Sequence, residues 1–137
     1  MLRFLKIAIP VFAIGFIAGN AFWYLASPLW IDRVVSEELP AELRLSELSN
    51  GSFVGADSVH QGQGTAELFK SDAGSTLLRL TEFEVTNGPD LKVYLAVSTN
   101  PTKASDVLDG GWVSLGPLKG NIGDQTYILP QDVDASK

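Results

Sequence analysis

The side chains with the widest chemical reach are few. His60 is the chain's one histidine, and its unperturbed pKa near neutrality suits proton shuttling or ligation through nitrogen. Asp57 precedes it by three residues in a short loop, so carboxylate and imidazole are placed to meet one cofactor, metal or substrate. The same spacing equally suits a turn in which the imidazole hydrogen-bonds to backbone. Asp90 follows Gly88-Pro89 and precedes an apolar run. It suits either an oxygen ligand for a hard cation, beside Asp57 or Asp124, or an acceptor for backbone N–H groups in its own turn. Asp57, His60 and Asp90 are therefore the candidate ligand- or cofactor-binding residues. They single out no catalytic residue, no metal site and no particular cofactor.

Much chemistry is excluded by composition. The chain has no cysteine, so it forms no disulfide, thiolate nucleophile, Cys-ligated zinc, iron–sulfur cluster or thioether haem attachment. One histidine and the initiator methionine cannot make a bis-His or His-Met haem site within one chain. No G-x-S-x-G elbow is present, and a Ser-His-Asp set would have to be gathered from scattered residues. In His60-Gln-Gly62-Gln-Gly64 the place of a third dinucleotide-loop glycine is taken by Glu67. The Lys119-Gly-Asn-Ile-Gly-Asp124 run suits backbone donors for an anion or a tight connection between strands. These absences favour a binding or interaction module over an enzyme.

The elements that position these residues follow from length and patterning. Of 137 residues, the 25 from Ile7 to Ile31 carry no charge, more than the roughly 20 needed to cross a bilayer. Arg3 and Lys6 precede this stretch and Asp32, Glu37 and Glu38 follow it, which predicts a cytoplasmic N-terminus and an extracytoplasmic remainder. Trp23, Tyr24 and Trp30 suit the outer headgroup layer, and Gly15 and Gly19 form a small-xxx-small pair. The lipid bilayer is thus the expected partner of residues 7–31. A secretory signal with a small-x-small site at Gly19-Asn20-Ala21 is the alternative, opposed by the apolar, aromatic residues that continue through Leu25. After residue 31 stand all 16 acidic but only 8 of the 10 basic residues, a net −8 that disfavours nucleic acid and anionic lipid surfaces.

Three regions are expected: a membrane anchor with a short cytoplasmic start (1–31), a charged membrane-proximal connector (32–50) and a β domain (51–137). The connector's irregular leucines around Pro40 suit two short helical pieces. Beyond Gly51, short apolar runs alternate with Gly, Pro, Asn and Asp. Leu91 to Ser98 alternates with a period of two and is the clearest strand. Thr65–Lys70, Ser75–Phe83, Trp112–Leu115 and Thr126–Leu129 predict further strands, and Phe53-Val54 a short first one. Asp72-Ala73-Gly74 reads as a hairpin turn, and Asn100 to Gly111 as a surface excursion. The predicted fold is all-β, an antiparallel sandwich or barrel-like domain following a single transmembrane helix. Phe53, Phe69, Phe83, Tyr94, Trp112 and Tyr127 suit its core or the lining of a ligand cavity.

Three segments in series carry a resemblance: Gly51-Ser-Phe-Val-Gly-Ala-Asp57-Ser-Val-His60-Gln-Gly-Gln-Gly64, then Leu80-Thr-Glu-Phe83 with Asn87-Gly-Pro-Asp-Leu-Lys-Val-Tyr-Leu95, then Leu115-Gly-Pro-Leu-Lys-Gly-Asn-Ile-Gly-Asp-Gln-Thr-Tyr-Ile-Leu-Pro130. Together they resemble the DM13 (DM-thirteen) domain, over roughly residues 51–130. The Ser27-Pro-Leu-Trp-Ile-Asp32 and Glu37-Glu-Leu-Pro40 pieces resemble the stalk of bacterial membrane-anchored members. The resemblance implies a β-rich extracellular module with a part in electron transfer. Members of that family continue past the Leu-Pro into a strand region bearing the cysteine on which the redox role rests. Here Pro130 is followed by seven residues without one. The domain is accordingly expected to be incomplete at its C-terminus and to offer an open sheet edge to a protein partner or to a second copy. The expected function is a binding or interaction module at the cell surface, with accessory electron transfer as the alternative that the resemblance implies.

Overall fold

The computed structural model describes residues 2–98, 101 and 103–133, which divide into two compact units. The first holds helix α1 (Leu2–Ala26), a 3-10 turn (Ser27–Leu29) and the loop 87–89. Side chains such as Ile7, Phe12, Ile17 and Phe22 are exposed around the helix, so no single apolar stripe is set aside for a protein core. Its one interior amide, Asn20, donates Nδ2–H to the Phe16 carbonyl at 2.7 Å, which satisfies the side chain within its own helix. Length and composition fit a membrane span and a secretory signal alike.

The second unit is mostly β. Its elements are β1 (Val34–Ser36), β2 (Leu45–Ser52), β3 (Gly62–Ser71), β4 (Thr76–Val85), β5 (Lys92–Ala96), α2 (Ala104–Gly110), β6 (Trp112–Pro117) and β7 (Ile122–Ile128). A five-stranded sheet runs β1-β7-β4-β3-β2, and a two-stranded sheet pairs β5 with β6. The strands are antiparallel except β1 on β7, which are parallel. The barrel-like alternative is therefore corrected: among the described residues the two sheets stay separate and no closed barrel forms. The antiparallel expectation holds for every pair but that one.

The connector differs from its expected helical pieces. Segments on either side of Pro40 become β1 and β2, because β7 and β3 offer them backbone partners. Seven of the eight β2 residues are exposed. A strand at a sheet's edge held by main-chain pairing needs no apolar alternation to announce it. Between the two strands, Leu39 and Leu43 border a recess with Leu77 and Ile128. Phe53 and Val54 lie just past β2 rather than in a strand. The described part of the surface excursion folds residues 104–110 as α2; Asn100 lies outside the described residues.

The core gathers Leu78, Leu80, Phe83, Tyr127 and Leu129, with Val93, Leu95 and Leu115 of the small sheet packed on it. β4 keeps both Leu80 and Phe83 inward through a bulge at Glu82, whose φ is +50°. Gly64 stands opposite with φ +107°, where a Cβ would come 2.7 Å from the Glu82 carbonyl oxygen. Only glycine combines that dihedral with that approach.

The turn into β7 is held by a buried polar cluster. Gln125 is fully buried; its Oε1 accepts the Tyr127 hydroxyl at 2.7 Å and the Lys119 N–H at 3.2 Å, while Nε2 donates to the Gly120 carbonyl at 2.8 Å. Burial raises the pKa of the Tyr127 phenol, and the Glu37 charge adds to that, against the Lys119 N–H. Lys119 Nζ also reaches the Glu37 carboxylate at 2.7 Å, which ties the residue after β1 to this turn.

Candidate functional site

The Asp57–His60 loop is built around one carboxylate. Asp57 Oδ1 accepts the backbone N–H groups of Val59 and His60, both at 2.7 Å, and Oδ2 lies 2.7 Å from His60 Nδ1. Backbone capping therefore falls to the carboxylate and not to the imidazole, since the short Asp side chain reaches N–H groups two and three residues on. The His60 hydrogen bond, with the two N–H donors, holds the Asp57 carboxyl down at about 2, below its ordinary 3.8. Thr86 pins the loop to the end of β4: its hydroxyl accepts the Gln61 N–H and donates to the Val59 carbonyl, each at 2.9 Å. With Nδ1 held by Asp57, Nε2 is the ring nitrogen left for a ligand.

Asp90 is placed elsewhere. Its φ is +55°, and its Oδ2 pairs with Lys92 Nζ at 2.9 Å. That hydrogen bond and charge raise the Lys92 pKa above its ordinary value. Asp124 has a third set of partners: Oδ2 takes the Arg79 guanidinium and Oδ1 the Glu82 N–H, both at 2.9 Å. The structure thus brings Asp57 to His60 and gives Asp90 and Asp124 cations of their own. Among the described residues no three His, Cys, Asp or Glu side chains gather as metal ligands.

His60 stands on the rim of a groove of about 580 Å³ between the two sheets. Its floor is Ala66, Leu78, Leu80, Phe83 and Val85 of the large sheet; Leu91 to Leu95 form one wall, and Phe53 to Ala56 with His60 to Gly62 form the other. The groove exists because two strands cover a sheet of five. Size and character, an apolar interior with a few polar groups at the mouth, match small-molecule and peptide sites. Phe53 and Phe83 meet edge to face at 4.9 Å, and Tyr94 meets Trp112 likewise at 5.0 Å. Of the aromatic residues singled out by sequence, Phe53, Phe83 and Tyr94 line the groove; Phe83 belongs to the core as well, and Tyr127 to the core alone.

Some of these contributors carry no local signal. Thr86 and Gln61 meet across twenty-five residues of chain, whereas Asp57 with His60 at a spacing of three, and Lys92 two residues past Asp90 in the alternating strand, are visible in the sequence.

Comparison with curated proteins and with solved structures finds no match. A family model described as electron transfer DM13 matches residues 52–137, the span that holds the Asp57–His60 loop, the groove and both of its walls. The chain belongs to the electron transfer DM13 family.

Proposed function

We propose that the β domain is a binding module at the cell surface, held at the extracytoplasmic face of a membrane by residues 7–31. The observation that carries this is the apolar groove beside the Asp57–His60 loop, an uncovered stretch of core large enough for a ligand. Burying such a surface on a partner is favourable at roughly 25 cal/mol per Å². The charge order along the chain, Arg3 and Lys6 before the apolar helix and Asp32, Glu37 and Glu38 after it, supports the orientation.

The absence of cysteine makes the groove directly testable, since a single introduced thiol can be labelled in the full chain in lipid nanodiscs. Ala66→Cys puts one on the groove floor. The thiol is expected to react with monobromobimane, to give blue-shifted emission, and to be protected by indole, a small water-soluble aromatic. A thiol that is inert in the folded chain, or that indole leaves unprotected, contradicts the reading.

A second reading, accessory electron transfer, is favoured by one observation, the family match. His60 Nε2 and the groove would then serve a redox group. A visible spectrum of the chain expressed with haem and flavin supply decides it: a Soret or flavin band favours this reading, and a transparent sample contradicts it.

A further inference from the structure

β5 is an edge strand whose open side faces the groove. Leu91 accepts the Leu118 N–H at 2.8 Å, and Val97 donates to the Gly111 carbonyl at 3.2 Å, so the odd-numbered residues of this strand turn their peptide groups toward β6. The register shift between Val93 and Tyr94 leaves its extra residue, Leu115, in β6, and the alternation in β5 runs through unbroken. By that alternation the N–H and C=O groups of Lys92, Tyr94 and Ala96 point the other way. Among the described residues β5 pairs only with β6. All five residues from Leu91 to Leu95 line the groove. Successive strand side chains point to opposite faces, so a groove touches five in a row only by running along the strand's edge.

We infer that this groove takes an extended segment of another polypeptide, which adds to β5 as a third strand of the small sheet. The inference rests on reading the groove as a binding site and goes on to name the class of occupant. A row of unpaired peptide groups calls for a peptide backbone, and the apolar floor below it calls for apolar side chains at alternate positions. Charge adds no selection of its own. In a chain with 16 acidic residues, the groove's lining holds two bases, His60 and Lys92, and no acid. Asp57 and Asp90 hold those two bases from outside the lining. The occupant is therefore an extended strand with apolar side chains at alternate positions.

The test uses the full chain in nanodiscs and a synthetic peptide of alternating valine and threonine capped by glutamates at both ends. Saturating peptide is expected to slow amide hydrogen exchange at Lys92, Tyr94 and Ala96 roughly tenfold or more. The same peptide N-methylated on the bonding edge is expected to give no such slowing. Tyr94→Pro, which removes a donor from the open edge and none from the β5–β6 ladder, should abolish the effect. Absent slowing, or equal slowing by the N-methylated peptide, overturns the strand inference. If indole still protects the Ala66→Cys thiol in that case, the groove remains a binding site for a smaller ligand and the broader reading survives. Protection that appears without peptide and grows with protein concentration identifies a second copy as the occupant, which also overturns it.

Discussion

His60 Nδ1 lies 2.7 Å from Asp57 Oδ2, while the other oxygen of that carboxylate binds the His60 main-chain N–H. One side chain thus sets both the fold of the loop and the direction of the ring. The Asp57 carboxyl ionises at about 2 in the folded chain against 3.8 ordinarily. A group with a depressed folded pKa contributes stability that is present above its unfolded value and lost as pH falls through the folded one. The loop at residues 57–60 is expected to keep its order down to about pH 4 and to lose it towards pH 2. Carboxyl NMR shifts of Asp57 measure this directly. His60→Ala should move the midpoint up toward the ordinary value; an unmoved midpoint contradicts the pairing.

Gln125 is fully buried and serves Tyr127, Lys119 and Gly120 at once. Gln125→Leu leaves the Tyr127 hydroxyl without its acceptor and the Gly120 carbonyl without its side-chain donor, while the Lys119 N–H keeps the Tyr127 oxygen at 3.0 Å, and each unsatisfied group costs about 1–3 kcal/mol. A loss of about 2–4 kcal/mol is expected from the urea unfolding midpoint. A change within experimental scatter would mean that the cluster is wet or loosely held.

Glu37 joins β1 to the turn before β7. Its carboxylate takes Lys119 Nζ at 2.7 Å and the Thr126 N–H at 2.8 Å. Burial pushes its pKa up, but those bonds, with the charges of Lys119 and Arg79, outweigh burial and hold it below the ordinary 4.5. Its contribution is present above that value and lost as pH falls below it. The pair is about a third exposed, so screening limits the effect and Glu37→Gln is expected to cost about 1 kcal/mol. Above pH 5 the variant should unfold at lower urea than the parent, and near pH 3 the two should converge. Curves that stay parallel over that range contradict this.

The parallel pairing of β1 depends on Gly123, with φ +99° and with a Cβ position that would clash with the Val35 carbonyl oxygen. Gly123→Ala is expected to cost about 3 kcal/mol and to free β1. Fast amide exchange at Val35 and Ser36 is the readout, and retained protection there would contradict the expected release of β1.

How much of this could be read from the chain follows from where each signal lies. β5 shows as Leu91, Val93 and Leu95 because one face is apolar and the other polar, and the β3–β4 hairpin shows through Asp72-Ala73-Gly74. β1 and β2 do not show. Three residues are too short for a period, and Leu45-Ser-Glu-Leu-Ser-Asn-Gly-Ser is a polar edge strand defined by its partner. The glycines at 120 and 123 look like a tight connection between strands. What they permit is the approach of Arg33 and Val35, nearly ninety residues earlier in the chain. Asp57 and His60 are visible together at a spacing of three. The groove is invisible, because it is the space left by two strands over five, and only the packed sheets define it.

The account depends on an uncovered β5 edge beside that groove, and amide hydrogen exchange in the unliganded full chain tests it most directly. Val93 and Leu95, bonded toward β6, should exchange slowly, and Lys92, Tyr94 and Ala96 fast, in strict alternation. Uniform slow exchange from Lys92 to Ala96 would mean that the edge is already covered, and the account would be contradicted.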